Sequence, residues 1–335
     1  MKEVETEPAI NTVLYYRLIG LWVVCEAFAG GIMHAFQVPF TGMIVSGLSV
    51  TCIILIACYI PGKFAISKAC FIVIIFKLML SPHSPPTAYV AVFFQGMMGQ
   101  FLFSNKKYFK TKAIVLGLFS LVESAVQRLL ILLIVYGNNF WQAVDEFLQK
   151  TFKQQSTSGY ITWIAWGYII IHAIVGIVVG IMAYNIAKNA IKWKQYAIIN
   201  ATIETPPATK EKKGSFRIKP LLILIWLLLA TLLLESILYP GNSILSSYQV
   251  LNIFIRALLI IIGWLYIISP LLLKILQKII SRKKQKLNAQ FLQVQKIIPE
   301  IKLIFSYSLA ASKKYNGIKR IKLFIKILLG SILNP

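Results

Sequence analysis

The sequence predicts an all-α, polytopic membrane protein of about eight transmembrane helices, six plus two, ending in a cytoplasmic pair of amphipathic helices. Three observations carry that prediction. Hydrophobic residues make up 58% of the 335 positions and mean hydropathy is +0.73, above the roughly half apolar content of an average soluble domain. The apolar residues gather in repeated runs of about 20, the length that spans a bilayer. The excess of 35 Lys and Arg over 11 Asp and Glu, a net charge of +24, falls mostly between those runs.

In chain order the runs cover residues 13–36, 42–60, 64–80, 87–103, 113–136, 160–184, 221–239 and 250–272. The start carries Glu3, Glu5 and Glu7 and no basic n-region, so the first run is expected to be retained rather than cleaved as a signal peptide. Connections 105–112, 188–219 and 281–286 are strongly basic, whereas 37–41, 81–86 and 240–248 hold almost no Lys or Arg, and 137–159 is mixed. The positive-inside rule then places both termini in the cytoplasm and the 81–86 connection outside. Residues 202–219, with Pro206, Pro207 and a Lys/Glu cluster, read as a linker. Four segments follow: a six-span membrane domain carrying the candidate binding site (1–200), a linker (201–219), a two-span unit (220–280) and a basic tail (281–335).

The tail holds twelve Lys and Arg against the single acid Glu300. Phe291, Val294, Ile297, Ile298, Ile301, Ile304 and Phe305 form one apolar stripe at helical spacing, and Ile318, Ile321, Phe324, Ile325, Leu328 and Leu329 form a second. Pro299 and Asn316-Gly317 are expected to punctuate them. Such basic amphipathic helices suit an anionic inner leaflet or a cytoplasmic partner. Nucleic acid is not expected, because the basic residues flank membrane spans.

The candidate binding site centres on Ser81-Pro82-His83-Ser84-Pro85-Pro86-Thr87, where prolines forbid a regular helix between two membrane-length runs. A rigid polar break at that depth belongs at an interface or a cavity. Polar residues predicted on the same side are His34, Gln37, Thr41, Ser81, His83, Ser84, Asn138, Asn139 and Trp141, with Gln95 two turns into the fourth span. Tyr89, Phe93, Phe94 and Trp141 are candidates for an aromatic wall. Charges within the spans are costly. They are Glu26, Lys77, Glu123, Arg128, Glu235 and Arg256. Glu235 and Arg256 are expected to form an interhelical salt bridge. Lys77, one turn below the break, is the leading candidate for a ligand contact. No triad, Walker loop, nucleotide-binding glycine pattern or paired carboxylates occur, so no catalytic site, cofactor or metal is expected. Cys25, Cys52, Cys58 and Cys70 lack CxxC spacing and read as packing residues.

Ala27-x-x-x-Gly31 and Gly176-x-x-x-Gly180 are small-xxx-small patterns that let helices approach closely. With six spans, a pocket under three outer loops, small residues in the first span and the Pro39-Phe40-Thr41-Gly42 turn, the first unit resembles the substrate-binding S component of an energy-coupling factor (vitamin-type ABC) transporter. The second unit resembles a shortened transmembrane T component. Ile298-Pro299-Glu300 and Ala310-Ala311-Ser312-Lys313-Lys314-Tyr315-Asn316-Gly317 occupy the places of that family's coupling-helix motifs, with Asn316 where the family has arginine. The resemblance implies a bacterial inner-membrane subunit for uptake of a small vitamin-like molecule. ABC-type ATPase partners would dock at Pro299, Glu300, Ala311, Lys314, Asn316 and Gly317. Two other readings are a scaffold whose tail recruits a cytoplasmic partner or membrane lipid, and an ion-coupled carrier using Glu26, Glu123 and Arg128.

Overall fold

The computed structural model describes residues 12–35, 40–81, 84–105, 107–152, 160–197, 220–238, 249–272, 274–275 and 286–334. Secondary structure among them is entirely helical. Helix α1 (Thr12–Val23) runs through one π-helical turn (Val24–Ala29) into α2 (Gly30–Ala35). Then come α3 (Thr41–Tyr59), α4 (Ala65–Leu80), α5 (Pro86–Leu102), α6 (Phe109–Phe152) and α7 (Tyr160–Ala190), which ends in a 3₁₀ turn, Ile191–Tyr196. A separate pair follows, α8 (Pro220–Leu238) and α9 (Gln249–Ile262), the latter continuing through a second π-helical turn, Gly263–Ile268. The tail forms α10 (Lys286–Ser312) and α11 (Gly317–Leu333).

Every apolar run read from the sequence is a helix, because a chain in lipid must satisfy its backbone polar groups internally. Four of the described helices are long and apolar enough to cross a membrane: Thr41–Tyr59, Phe109–Gly137, Thr162–Tyr196 and Leu251–Leu272. The helix ends follow local chemistry. Ser81 caps α4 by donating its amide to the Lys77 carbonyl at 2.8 Å, and α5 starts with Pro86 in its first turn, where a missing amide costs nothing. Two expectations are corrected here. Residues after Gly137 are helical to Phe152 rather than loop, with Gly137 at φ +72° and ψ −180° making the kink. Helix α10 runs through Pro299 unbroken, whereas Asn316-Gly317 does mark the break between the two tail helices, Gly317 opening α11 at φ +58°.

The core is organised around α3, whose Val50, Ile53, Ile54, Leu55 and Ile56 are fully buried among α1, α4, α5, α6 and α7. The longest contact joins α6 and α7. There the Gly176-x-x-x-Gly180 pattern does what its spacing predicts, since the backbones of Gly176 and Gly180 lie directly against Gly117 and Ala113. A Cβ on Gly117 would run into the Gly176 carbonyl. Gly117→Val is therefore expected to destabilise the bundle by about 3 kcal/mol. Gly47→Ala, whose new Cβ would sit 3.6 Å from Val179, should be near neutral. Thermal unfolding of the two variants in one detergent checks both.

The tail is not laid out on its own. Val294, Ile298, Ile301 and Ile304 of α10, with Leu328, Leu329, Ile332 and Leu333 of α11, belong to the same buried cluster as Leu18, Ile19 and Trp22 of α1. Helix α10 crosses α1 at Gly20, where the absent side chain leaves room for Ile297 and Ile301. The docking position in span one is thus Gly20, not Ala27-x-x-x-Gly31; Gly31 faces the Ser81 hydroxyl. Phe291 stacks on Phe76 at 4.4 Å. Arg17 pairs with Glu300 at 2.5 Å and donates to the Ser331 and Asn334 carbonyls at the end of α11. Glu300 is accordingly turned inward, onto the chain's own first helix.

Helices α8 and α9 pack on each other, with the Trp226 indole donating to the Leu259 carbonyl at 2.9 Å. They meet the larger bundle at α6 and at the lip described below. The expected Glu235–Arg256 salt bridge is absent. Glu235 is exposed, and Arg256 instead places its guanidinium beside the Gly137 kink.

Candidate functional site

A cavity of about 870 Å³ opens among α3, α4, α5, α6 and α7 beside the π-helical turn of the first span. Its lining brings together residues far apart in sequence: Glu26; Thr41 and Ser46 of α3; Lys77 of α4; Thr87 and Gln95 of α5; Ser124, Gln127, Arg128 and Trp141 of α6; Tyr168 and His172 of α7. Leu129, Ile131, Leu132 and Ile164 supply apolar wall. A pocket mostly apolar with a few convergent polar groups is the general form of a small-molecule site.

The π-helical turn matters to this geometry. Its extra residue per turn re-aims Glu26 into the bundle, where the carboxylate meets Lys77 at 2.5 Å. Ser49 donates a second hydrogen bond to Glu26, and Lys77 donates also to the Ala88 carbonyl at 3.3 Å. Both charged side chains are essentially buried. The pair sits in the cavity wall with its charges mutually compensated, so Lys77, the leading candidate for a ligand contact, lines the cavity as one half of an ion pair. Gln95 is equally buried and donates to the Ser46 hydroxyl at 3.0 Å, but its carbonyl oxygen has no partner. His172 is held by the Tyr168 carbonyl one turn back, 2.9 Å from Nδ1.

The Ser81 break forms the lip. Pro85 and Thr87 line the cavity directly, while the Ser81 and Ser84 hydroxyls bond to each other at 2.8 Å. Tyr89 donates to the Ser81 carbonyl at 2.8 Å. The second π-helical turn reaches this point from the α8–α9 pair. Trp264 donates its indole N–H to the Ser84 carbonyl at 3.0 Å and packs on Tyr89 with ring centroids 5.3 Å apart. π-Helical turns recur where a helix must present a side chain off its regular face. Here each of the two presents one, Glu26 and Trp264, to the Lys77–Tyr89 stretch. Trp264→Phe keeps the ring and removes the donor. It is expected to cost about 1 kcal/mol and to raise hydrogen exchange at residues 81–89 without unfolding the bundle.

Of the residues expected in the site, Thr41, Lys77, Gln95 and Trp141 line the cavity, as do the intramembrane charges Glu26 and Arg128. Gln37 and His83 lie outside the described residues, as do the side chains of His34, Asn138 and Asn139. Tyr89 faces Trp264 instead of the cavity, and Phe93 pairs with Phe71 on the outer surface at 6.1 Å. Glu123 accepts from Gln127 on its own helix and pairs with no cation. Ser46, Ser124, Gln127, Tyr168 and His172 were not read from the sequence. Their signal is there: Ser124, Gln127 and Arg128 recur at i, i+3 and i+4, and Tyr168 and His172 at i and i+4, each putting polar groups on one face of an apolar helix. No protein-family model, curated protein or solved structure matches the chain.

Proposed function

We propose that this chain is the membrane subunit of an ATP-driven uptake transporter, capturing a small solute in the α3–α7 cavity and coupling its release to separate ATPase subunits. The observation that carries this reading is the cavity itself, a chamber of about 870 Å³ among five apolar helices, with a few polar groups converging on it. In this reading eight helices cross a bacterial cytoplasmic membrane, both termini are cytoplasmic, and the lip at Ser81–Thr87 faces outward. The resemblance to energy-coupling factor transporters supplies the partner class. The turn between α10 and α11 supplies the place: Lys313, Lys314, Tyr315, Asn316, Gly317, Ile318 and Lys319 are all exposed, with Ile318 72% and Tyr315 46% accessible. Exposed apolar side chains among lysines are the composition of a docking edge. Pro299 is exposed and Ala311 half-buried, while Glu300 is committed to Arg17.

The test is purification of the full chain from its native membrane, with Ile318→Asp combined with Lys314→Glu as the comparison variant. Both positions are exposed, so the fold should survive, as its melting temperature would show. ATPases recovered with the wild type and lost with the variant are the expected result. Their absence from both samples overturns the transporter reading in favour of a scaffold on lipid or another cytoplasmic protein.

A further inference from the structure

The charge inventory of the cavity narrows what it takes. Glu26 and Lys77 compensate each other. The only ion pairs among the described residues are that one and Arg17–Glu300, so Arg128, an exposed residue of the cavity lining, has no ion-pair partner among them. Its near neighbour Glu123, five positions back, accepts from Gln127 through one oxygen, and its other oxygen is buried without a hydrogen-bond partner. A cation set among membrane helices without a counter-charge is retained at a cost in stability, which points to an anion supplied from outside the chain. The cavity also holds the opposite kind of vacancy. Gln95, 1% exposed, spends its amide N–H on Ser46 and leaves its carbonyl oxygen without a donor. Buried acceptors are rarely left so.

We propose that the cavity binds a small organic monocarboxylate, its carboxylate on the Arg128 guanidinium and a hydrogen-bond donor of the same molecule on Gln95 Oε1. A planar guanidinium matches a carboxylate through two parallel hydrogen bonds. One uncompensated cation suits one negative charge and not a phosphate dianion. The apolar and aromatic wall between the two polar ends, Trp141 and Leu132 among it, asks for a chain or ring of low polarity in the middle. This assignment rests on the capture reading above and gives its substrate a charge class.

Three probes with one carbon skeleton separate the charge classes. Glutaramate carries a carboxylate and an amide N–H, glutaramide is its neutral twin and 5-aminopentanamide its cationic one. Each is added at about 10 mM, suited to the weak affinity of so small a ligand, to the full chain in nanodiscs. Thermal unfolding is followed by tryptophan fluorescence, since a ligand that binds the folded state alone raises the midpoint. Glutaramate alone is expected to raise it. Arg128→Met should abolish that rise while leaving the ligand-free midpoint at or above wild type, a result a structural arginine would not give. Gln95→Leu should weaken the response about tenfold. An equal rise with either twin, a rise that survives Arg128→Met, or no rise with any probe overturns the monocarboxylate assignment. Binding of a twin in place of glutaramate would leave the capture reading standing, and ATPase recovery tests that reading independently.

Discussion

Lys77→Met alone is expected to destabilise the protein by roughly 3–5 kcal/mol, the range seen when one partner of a buried ion pair is removed. The Glu26 carboxylate would be left in the bundle interior with only the Ser49 hydroxyl on it, because the side chain is 2% exposed and water cannot replace the lost ammonium. Glu26→Met alone should cost a similar amount, stranding the ammonium with the Ala88 carbonyl. The double replacement should recover most of either loss, since two apolar side chains of similar volume leave no buried charge. Unfolding midpoints of the four proteins form a double-mutant cycle whose coupling measures the pair. Additive losses would mean that the two residues do not meet. The cycle also separates Lys77 from Arg128: removing the first should cost stability, and removing the second should not.

The contrast between those two cations shows what the sequence makes legible. Span boundaries follow from the runs of apolar residues, and α3, α4, α5 and α8 begin and end within a residue or so of the expected limits because hydropathy alone decides where a helix must stay in lipid. Which charges meet is a different kind of fact. Glu26 and Lys77 are 51 residues apart, and their contact depends on a π-helical turn that no periodicity announces. Aromatic residues divide the same way. Trp141, Tyr89 and Phe93 are alike in composition, yet one lines the cavity, one carries the lip contact to Trp264 and one packs on the outer surface. The proline break is legible as a break, and Pro85 and Thr87 beside it line the cavity; the polar spacing on α6 and α7 is present in the sequence but points to no partner face by itself. The fate of the tail is not legible. An amphipathic stripe reports that a face will be covered and does not say by what.

Here the cover is the chain's own first helix for α10 and the 3₁₀ turn after α7 for α11, and the second large effect follows from it. Gly330→Leu is expected to expel α11, because Gly330 rests against the Trp193 carbonyl in the 3₁₀ turn after α7 and any Cβ there meets backbone that cannot yield. Ile301→Ala should loosen α10 by about 2–5 kcal/mol, the usual cost of truncating a fully buried isoleucine. Hydrogen exchange reads both. In the wild type the amides of residues 294–304 and 324–333 should be protected as strongly as those of α3. In Gly330→Leu they should exchange like an undocked helix, with α3 itself less affected. Tail amides exchanging rapidly in the wild type would sink the docked arrangement and return the tail to the membrane surface. A docked tail also changes how partners must be sought. Deleting residues 281–335 would strip the cover from Leu18, Ile19 and Trp22 and expose the Arg17 charge that Glu300 and the α11 carbonyls now hold. Loss of a partner after such a deletion would report unfolding as readily as a missing contact. Substitutions confined to the exposed turn between α10 and α11 leave the buried face intact, and any partner they release was held by that turn.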